Sequence, residues 1–209
     1  GGGPGERIPG KIAVHTMETA LYGGSFNPLH IGHLAILRKL ADSFERIYLV
    51  VSPKNPLKDN IDASSAETRL KAASEALLRH PELYDGSRRG RVILSDIEFR
   101  LPSPNYSINT LDALAAEMAA EGPVSLTMVV GGDQIADIRR WKDYERILLE
   151  YGVAVFPREG CDLEAIRLDL LSENPDYKIR LMDMPEVPVS SSEIRLALSK
   201  GQSVDGLLM

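Results

Sequence analysis

The chain has one cysteine, Cys161, among 209 residues. No intrachain disulfide can form, and no zinc site built on cysteines can either. A reducing compartment suits such a chain, so a cytoplasmic location is expected. Long apolar runs are missing too: none approaches the roughly 18 residues of a membrane span. Positive charge is scarce. Lys and Arg number 24 against 30 Asp and Glu, for a net charge of −6. Holding a nucleic-acid backbone takes a basic stripe that displaces counterions. Neither nucleic acid nor membrane is therefore an expected partner. Small phosphates are different, because a few cations and converging backbone N–H groups suffice to hold them.

What is present is ordinary in bulk. Hydrophobic residues make up 44% and charged residues 26%, as in soluble globular proteins. The length suits a single domain with a substantial core. Residues 1–17 are rich in glycine and proline and lack the apolar block of a signal peptide. They are expected to be a disordered leader or an expression remnant, with Met17 as a candidate natural start and residues 18–209 as one domain.

After that leader, strand-like and helix-like patterns alternate. Strands are expected at 19–23, 47–51, 92–94, 126–130, 152–156 and 178–182. Helices are expected at 31–43, 65–79, 107–121, 134–138, 141–149, 162–172 and 191–199. This alternation predicts an α/β fold: a Rossmann-like, doubly wound parallel sheet with helices on both faces. In such sheets ligands sit outside the carboxyl ends of the strands. The unusual residues fall at those ends: 23–33, 52–58, 131–133 and 190–195.

The first of these reads GGSFNPLHIGHL over 23–34 and holds two of only four histidines. Gly23 and Gly24 let a bulky anion approach the backbone. The helix that follows aims free N–H groups and a partial positive charge at the same space. His30 and His33 are spaced to share a helical face. Two imidazole donors there suit a reaction in which negative charge builds on phosphorus. A purely structural strand-to-helix turn, or surface histidines, would leave the same pattern. Metal ligation is less well supported, since no third His or Cys lies nearby.

The last reads VSSSEIR over 189–195. Ser190 and Glu193 fit a capping box, which is its structural explanation. A cap uses one hydroxyl, however, and Ser191 and Ser192 would remain free at a positive helix end. Arg195 can lean back toward that end and grip a phosphate with two N–H groups.

These two stretches resemble the HxGH and ISSTxIR signatures of the nucleotidylyltransferase superfamily, here with Ser192 in the threonine place and Glu193 after it. Further segments narrow the resemblance to bacterial nicotinate mononucleotide adenylyltransferases. YSINTL at 106–111 is similar to their YSxxTL segment. Gly132 and Asp133 with WKDYERIL at 141–148 are similar to their GxD…WxxxExIL stretch. PKNPLK at 53–58 is similar to their proline-rich basic loop, and Arg69 matches an arginine beyond it. The resemblance spans residues 19–199.

The resemblance implies that ATP and nicotinate mononucleotide are the partners and deamido-NAD and pyrophosphate the products. Catalysis would rest on His30 and His33. ATP would lie against Gly23, Gly24, Ser25, Phe26, His33, Gly131, Asp133, Ser191, Ser192 and Arg195. Mg2+ would be carried with ATP, held mainly by phosphates and water. For the acceptor, Trp141 could stack on a pyridine ring, with a core tryptophan as the plainer alternative. Lys58 could hold the mononucleotide phosphate, and backbone N–H groups near Thr110 and Lys142 the nicotinate carboxylate. Asp133 has a second reading as a helix N-cap. Where relatives often read RPG, this chain reads Pro157-Arg158-Glu159-Gly160, so Arg158 receives no role. Two rivals stay open: the same chemistry on nicotinamide mononucleotide or pantetheine phosphate, and a nucleotide-binding regulatory module without catalysis. A homo-oligomer is compatible with either.

Overall fold

The computed structural model of the protein describes residues 15–53 and 65–209. Among these residues the strands are β1 (Met17–Gly24), β2 (Arg46–Val51), β3 (Arg91–Ser95), β4 (Val124–Gly131), β5 (Val153–Phe156) and β6 (Ile179–Leu181). They form one sheet in the order β3-β2-β1-β4-β5-β6, with every pairing parallel. The expected doubly wound α/β architecture is the one observed. The helices are α1 (Ile31–Ser43), α2 (Ala66–Leu78), α3 (Ser107–Met118), α4 (Gly132–Ala136), α5 (Tyr144–Arg146), α6 (Leu163–Glu173) and α7 (Ser191–Ser199).

β1 and β4 run side by side at the centre, with Tyr22 opposite Val129. The chain winds outward from β1 in one direction and from β4 in the other. A crevice opens where the winding reverses, beyond the carboxyl ends of these two strands. Successive strand residues point to opposite faces. Thus Tyr22 packs with Leu37, Leu40 and Phe44 on the α1–α2 side, while Leu21 packs with Ile108, Leu111 and Leu114 of α3 on the other. Both faces are covered, which is why the middle strands are apolar almost throughout.

Several boundaries differ from the sequence expectation. β1 starts at Met17, whose N–H donates to the Pro123 carbonyl at 3.1 Å, and His15 Nε2 lies 2.8 Å from Glu45. The strand expected from residue 19 therefore begins two residues earlier; residues 1–14 of the expected leader lie outside the described residues. The helix expected at 107–121 stops at Met118 and tightens into one 3₁₀ turn, Ala119–Glu121, before Gly122 at φ 115°. The helix expected at 141–149 breaks up. Asp143 is left-handed at φ 52°, α5 is a single turn, and Ile147–Tyr151 is a π turn. That turn is closed by Gly152 N–H donating to the Ile147 carbonyl at 2.7 Å.

The end of the chain returns to the sheet. Ile31 N–H donates to the Leu207 carbonyl at 2.9 Å, Met209 N–H donates to the Leu29 carbonyl at 3.3 Å, and Met209 is buried. The tail thus fastens the start of α1. Among the described residues, no helix is long and apolar enough to cross a membrane.

Candidate active site

β1 runs into a tight turn that delivers the chain to α1. Phe26 sits there in the left-handed region at φ 47°, and its ring would lie 3.2 Å from a Cβ at Gly24, so Gly24 has little room for one. His30 is the N-cap of α1 rather than a residue within its first turn. Its Nδ1 accepts from Gly32 N–H at 3.0 Å. His33 Nδ1 in turn accepts from His30 N–H at 3.1 Å. An imidazole Nδ1 that accepts must carry its neutral-state proton on Nε2. Both rings therefore present Nε2–H as a donor. They stack with centroids 3.7 Å apart and planes inclined by 28°.

The surroundings keep both rings neutral. Burial, followed by the nearby Arg158 guanidinium, lowers the His30 pKa from its ordinary value to about 4. Burial lowers His33 to about 3, with His30 and Arg158 adding to the effect. Desolvation disfavours the charged imidazolium, and neighbouring positive charge disfavours it further.

The second predicted site meets the first directly. Ser190 caps α7, its Oγ accepting from Glu193 N–H at 3.1 Å, so the structural reading of that serine holds. The next residues reach back to the glycine turn. Ser191 Oγ donates to the Pro28 carbonyl at 3.1 Å, and Arg195 donates to the Asn27 carbonyl at 2.6 Å. Arg195 also donates to Ser192 Oγ at 3.1 Å. His30, His33, Asp133, Arg158, Ser191 and Arg195 all border one cavity of about 310 Å³. Gly23, Gly24, Ser25, Phe26 and Ser192 border it as well.

Other expected residues fall elsewhere. Gly131 does not border the cavity; its N–H donates to Gln134 Oε1 at 2.7 Å, and it is the N-cap of α4. Asp133 is consequently not that cap. It lies within the first turn of α4, with Oδ1 3.9 Å from Arg158 Nε. Thr110, Trp141 and Lys142 also lie outside the cavity wall. Thr110 is 3% exposed, and its N–H donates to the Tyr106 carbonyl at 3.2 Å, so that N–H is not free for a carboxylate. Trp141 is half-buried against the core on the α3 side. Lys142 Nζ stands 4.8 Å over the Tyr106 ring, beside the N-terminus of α3. Lys58 lies outside the described residues.

Two functional features escaped the sequence reading. Arg158 faces both histidines although its place relative to Pro157 is shifted from the familiar pattern. An apolar wall of Phe156, at the end of β5, and Met184, Val187 and Val189, from a loop that carries no motif, completes the cavity. It suits the flat face of a base, whereas the histidine and arginine side suits phosphates.

The chain matches the cytidylyltransferase-like family over residues 21–197. A probable nicotinate-nucleotide adenylyltransferase of Flavobacterium psychrophilum is 32% identical over 194 residues, 92% of each chain. One from Bacteroides fragilis is also 32% identical, over 90% of this chain and 85% of the relative. Among solved structures, the Plasmodium falciparum nicotinic acid mononucleotide adenylyltransferase complexed with APC superposes with a TM-score of 0.69 at 21% identity, covering 92% of this chain and 90% of that one. Its complex with NaAD gives the same TM-score at 23% identity, with 91% and 88% covered. At these identities the structural likeness speaks to the fold.

Proposed function

This chain belongs to the cytidylyltransferase-like family, and from that premise we propose that it transfers AMP from ATP to nicotinate mononucleotide, releasing pyrophosphate and deamido-NAD. One observation supports the reading above others. A paired-histidine turn and an arginine–serine helix from distant parts of the chain border one cavity of about 310 Å³. A regulatory module without catalysis would have no use for two imidazole donors held neutral and aimed into that space.

The reaction runs as follows on this geometry. The acceptor's phosphate oxygen attacks the α-phosphorus of ATP in line, and the bond from that phosphorus to the bridging oxygen of pyrophosphate breaks. His30 and His33 donate Nε2–H hydrogen bonds to α-phosphate oxygens as charge accumulates there. No proton need leave either ring. Arg158 and Arg195 offset the charge of the outer phosphates, with Arg195 already placed against Ser192. Enzymes of this kind generally use a divalent metal together with the nucleotide. Among the described residues no group of three or more His, Cys, Asp or Glu is arranged to hold one. Magnesium is assigned to the substrate, as Mg2+ bound by ATP oxygens and water.

The acceptor is assigned to the region at the start of α3. That helix carries no side-chain cap, so its positive end suits the nicotinate carboxylate in place of the occupied Thr110 N–H. Lys142 flanks the same end, next in the chain to Trp141, and Lys58 is proposed for the mononucleotide phosphate. A cytoplasmic setting accompanies this reading.

The test is a pyrophosphate-release assay with ATP and a panel of phosphorylated acceptors. Nicotinate mononucleotide should exceed nicotinamide mononucleotide by about tenfold or more in kcat/KM, equivalent to roughly 1.4 kcal/mol. A stronger response to the amide or to pantetheine phosphate would overturn the assignment.

A further inference from the structure

Two buried charged side chains take no part in the chemistry above. Arg69 of α2 is 8% exposed and Glu98, between β3 and α3, is 6% exposed. Neither makes an ion pair among the described residues, although an oppositely charged group would be the simplest way to compensate each. Arg69 instead spends its guanidinium on three backbone carbonyls: Ser25 at 2.7 Å, Ser52 at 2.7 Å and Pro53 at 2.9 Å. Glu98 accepts from Ser52 Oγ at 2.8 Å and from Thr110 Oγ1 at 3.3 Å.

These contacts share a member. Ser52, just past the end of β2, offers its carbonyl to Arg69 and its hydroxyl to Glu98. A continuous chain of hydrogen bonds therefore runs from Ser25, on the cavity wall, through buried Arg69, half-buried Ser52 and buried Glu98 to Thr110 on α3. One end belongs to the nucleotide half of the cleft and the other to the half assigned to the acceptor. Burial also raises the Glu98 pKa, while the hydrogen bonds from Ser52 and Thr110 oppose that rise.

We propose that Arg69 and Glu98 are positioning residues which, through Ser52, set the acceptor's half of the cleft against the nucleotide's half. This rests on the reaction proposed above. In-line transfer between two separately bound molecules depends on their mutual alignment. Misplacement on the order of 1 Å can cost about a hundredfold in rate. An apolar pair of similar size could fill the same volume, but it would not fix three backbone segments in register.

The experiment compares Glu98→Leu, Glu98→Gln and Ser52→Ala with the parent chain. It measures kcat, the affinity of each substrate bound alone by calorimetry, and the melting temperature. The expected result is a fall in kcat of roughly ten- to a hundredfold for Glu98→Leu and a smaller one for Ser52→Ala. Each substrate should bind alone as before, and Glu98→Gln should recover most of the rate, because its amide oxygen can still accept from Ser52 Oγ while its NH2 donates to Thr110 Oγ1, whose hydroxyl can turn to the Tyr106 carbonyl. A role in stability alone would lower the melting temperature and leave kcat per folded molecule intact; that outcome overturns the proposal. So does a loss confined to the binding of one substrate, which would make Glu98 part of that substrate's own pocket. If Glu98→Leu does not fold, Ser52→Ala decides, since it removes one hydroxyl and leaves the carbonyl bond to Arg69. The rates are taken with whichever acceptor of the panel turns over. Turnover on another acceptor thus overturns the nicotinate reading while the relay is still measured, and a parent chain inert with all of them overturns both.

Discussion

Arg195 donates to the carbonyl of Asn27 at 2.6 Å, across 168 residues of sequence. This bond joins the two signatures before any nucleotide arrives. The same guanidinium reaches Ser192 Oγ, so its fork is oriented across both elements. A lysine carries the charge but cannot reproduce a planar, two-pronged donor. Arg195→Lys should lower kcat/KM for ATP by about tenfold or more, the scale of 1.4 kcal/mol. Steady-state kinetics with ATP varied would check this, and parent-like values would mean that charge alone is what Arg195 contributes.

The histidines should separate into two roles. Loss of one transition-state donor costs on the order of a hundred- to a thousandfold in kcat. His33→Ala is expected to show that loss and His30→Ala as well. His30→Ala also removes the cap of α1, at about 1 kcal/mol of stability. His30→Asn restores a capping side chain without the imidazole. It should therefore recover melting temperature and not turnover. Recovery of both would assign His30 to structure.

The pH dependence follows from the lowered pKa values. With His30 down at about 4 and His33 at about 3, the folded chain stays unprotonated at these rings while the unfolded chain takes up protons near pH 6.5. Unfolding is then favoured as pH falls, so this contribution to stability is complete above about 6.5 and is lost progressively toward the folded values. A bound triphosphate brings negative charge to the rings and raises their pKa. ATP binding at pH 5 should therefore take up protons, and at pH 8 these rings should contribute no uptake. Calorimetry in buffers of different ionisation enthalpy reads this directly. No proton uptake at pH 5 would place the phosphates away from the histidines.

Gly32, which borders the cavity and donates to His30 Nδ1, offers a test that leaves both imidazoles in the sequence. A Cβ there would lie 2.7 Å from His30 Cε1 and 2.9 Å from His30 Nδ1. Alanine is the better helix former by about 1 kcal/mol, so propensity alone favours Gly32→Ala. The clash should win at the active site by swinging the imidazole away. The expected variant is folded and slow, approaching the His30→Ala rate. Undiminished turnover would show that the ring's present orientation is not the working one.

Much of the fold was readable because its strongest signals are local. α1 and α7 occupy the spans expected, α1 announced by its apolar spacing and α7 by the serine that caps it. The segment 141–149 misled for the opposite reason. Its apolar spacing resembles a helix, but Asp143 turns left-handed and the π turn at Ile147–Tyr151 shifts the period. The phosphate side of the site was legible from glycine, histidine, serine and arginine in recognisable order. Arg158 was not, because a shift of one place in a motif says nothing about where a long side chain ends. Glu98 was hidden as well: a carboxylate in a charged segment reads as surface, and only tertiary packing makes it 6% exposed. The fastening of α1 by Leu207 and Met209 rests on backbone groups, which every sequence supplies equally.

The central place of β1 has a consequence for how the protein is made. Its neighbour β2 leaves the ribosome soon after it, but β4, its other neighbour, follows only after α1, β2, α2, β3 and α3. Through that interval the nascent chain holds out a bare, apolar strand edge, the kind that other chains can pair with. Half-made molecules of this enzyme should thus be the ones most prone to aggregate and to engage chaperones; arrival of β4 should end that hazard, while the nucleotide cleft must still wait for Arg158 and α7.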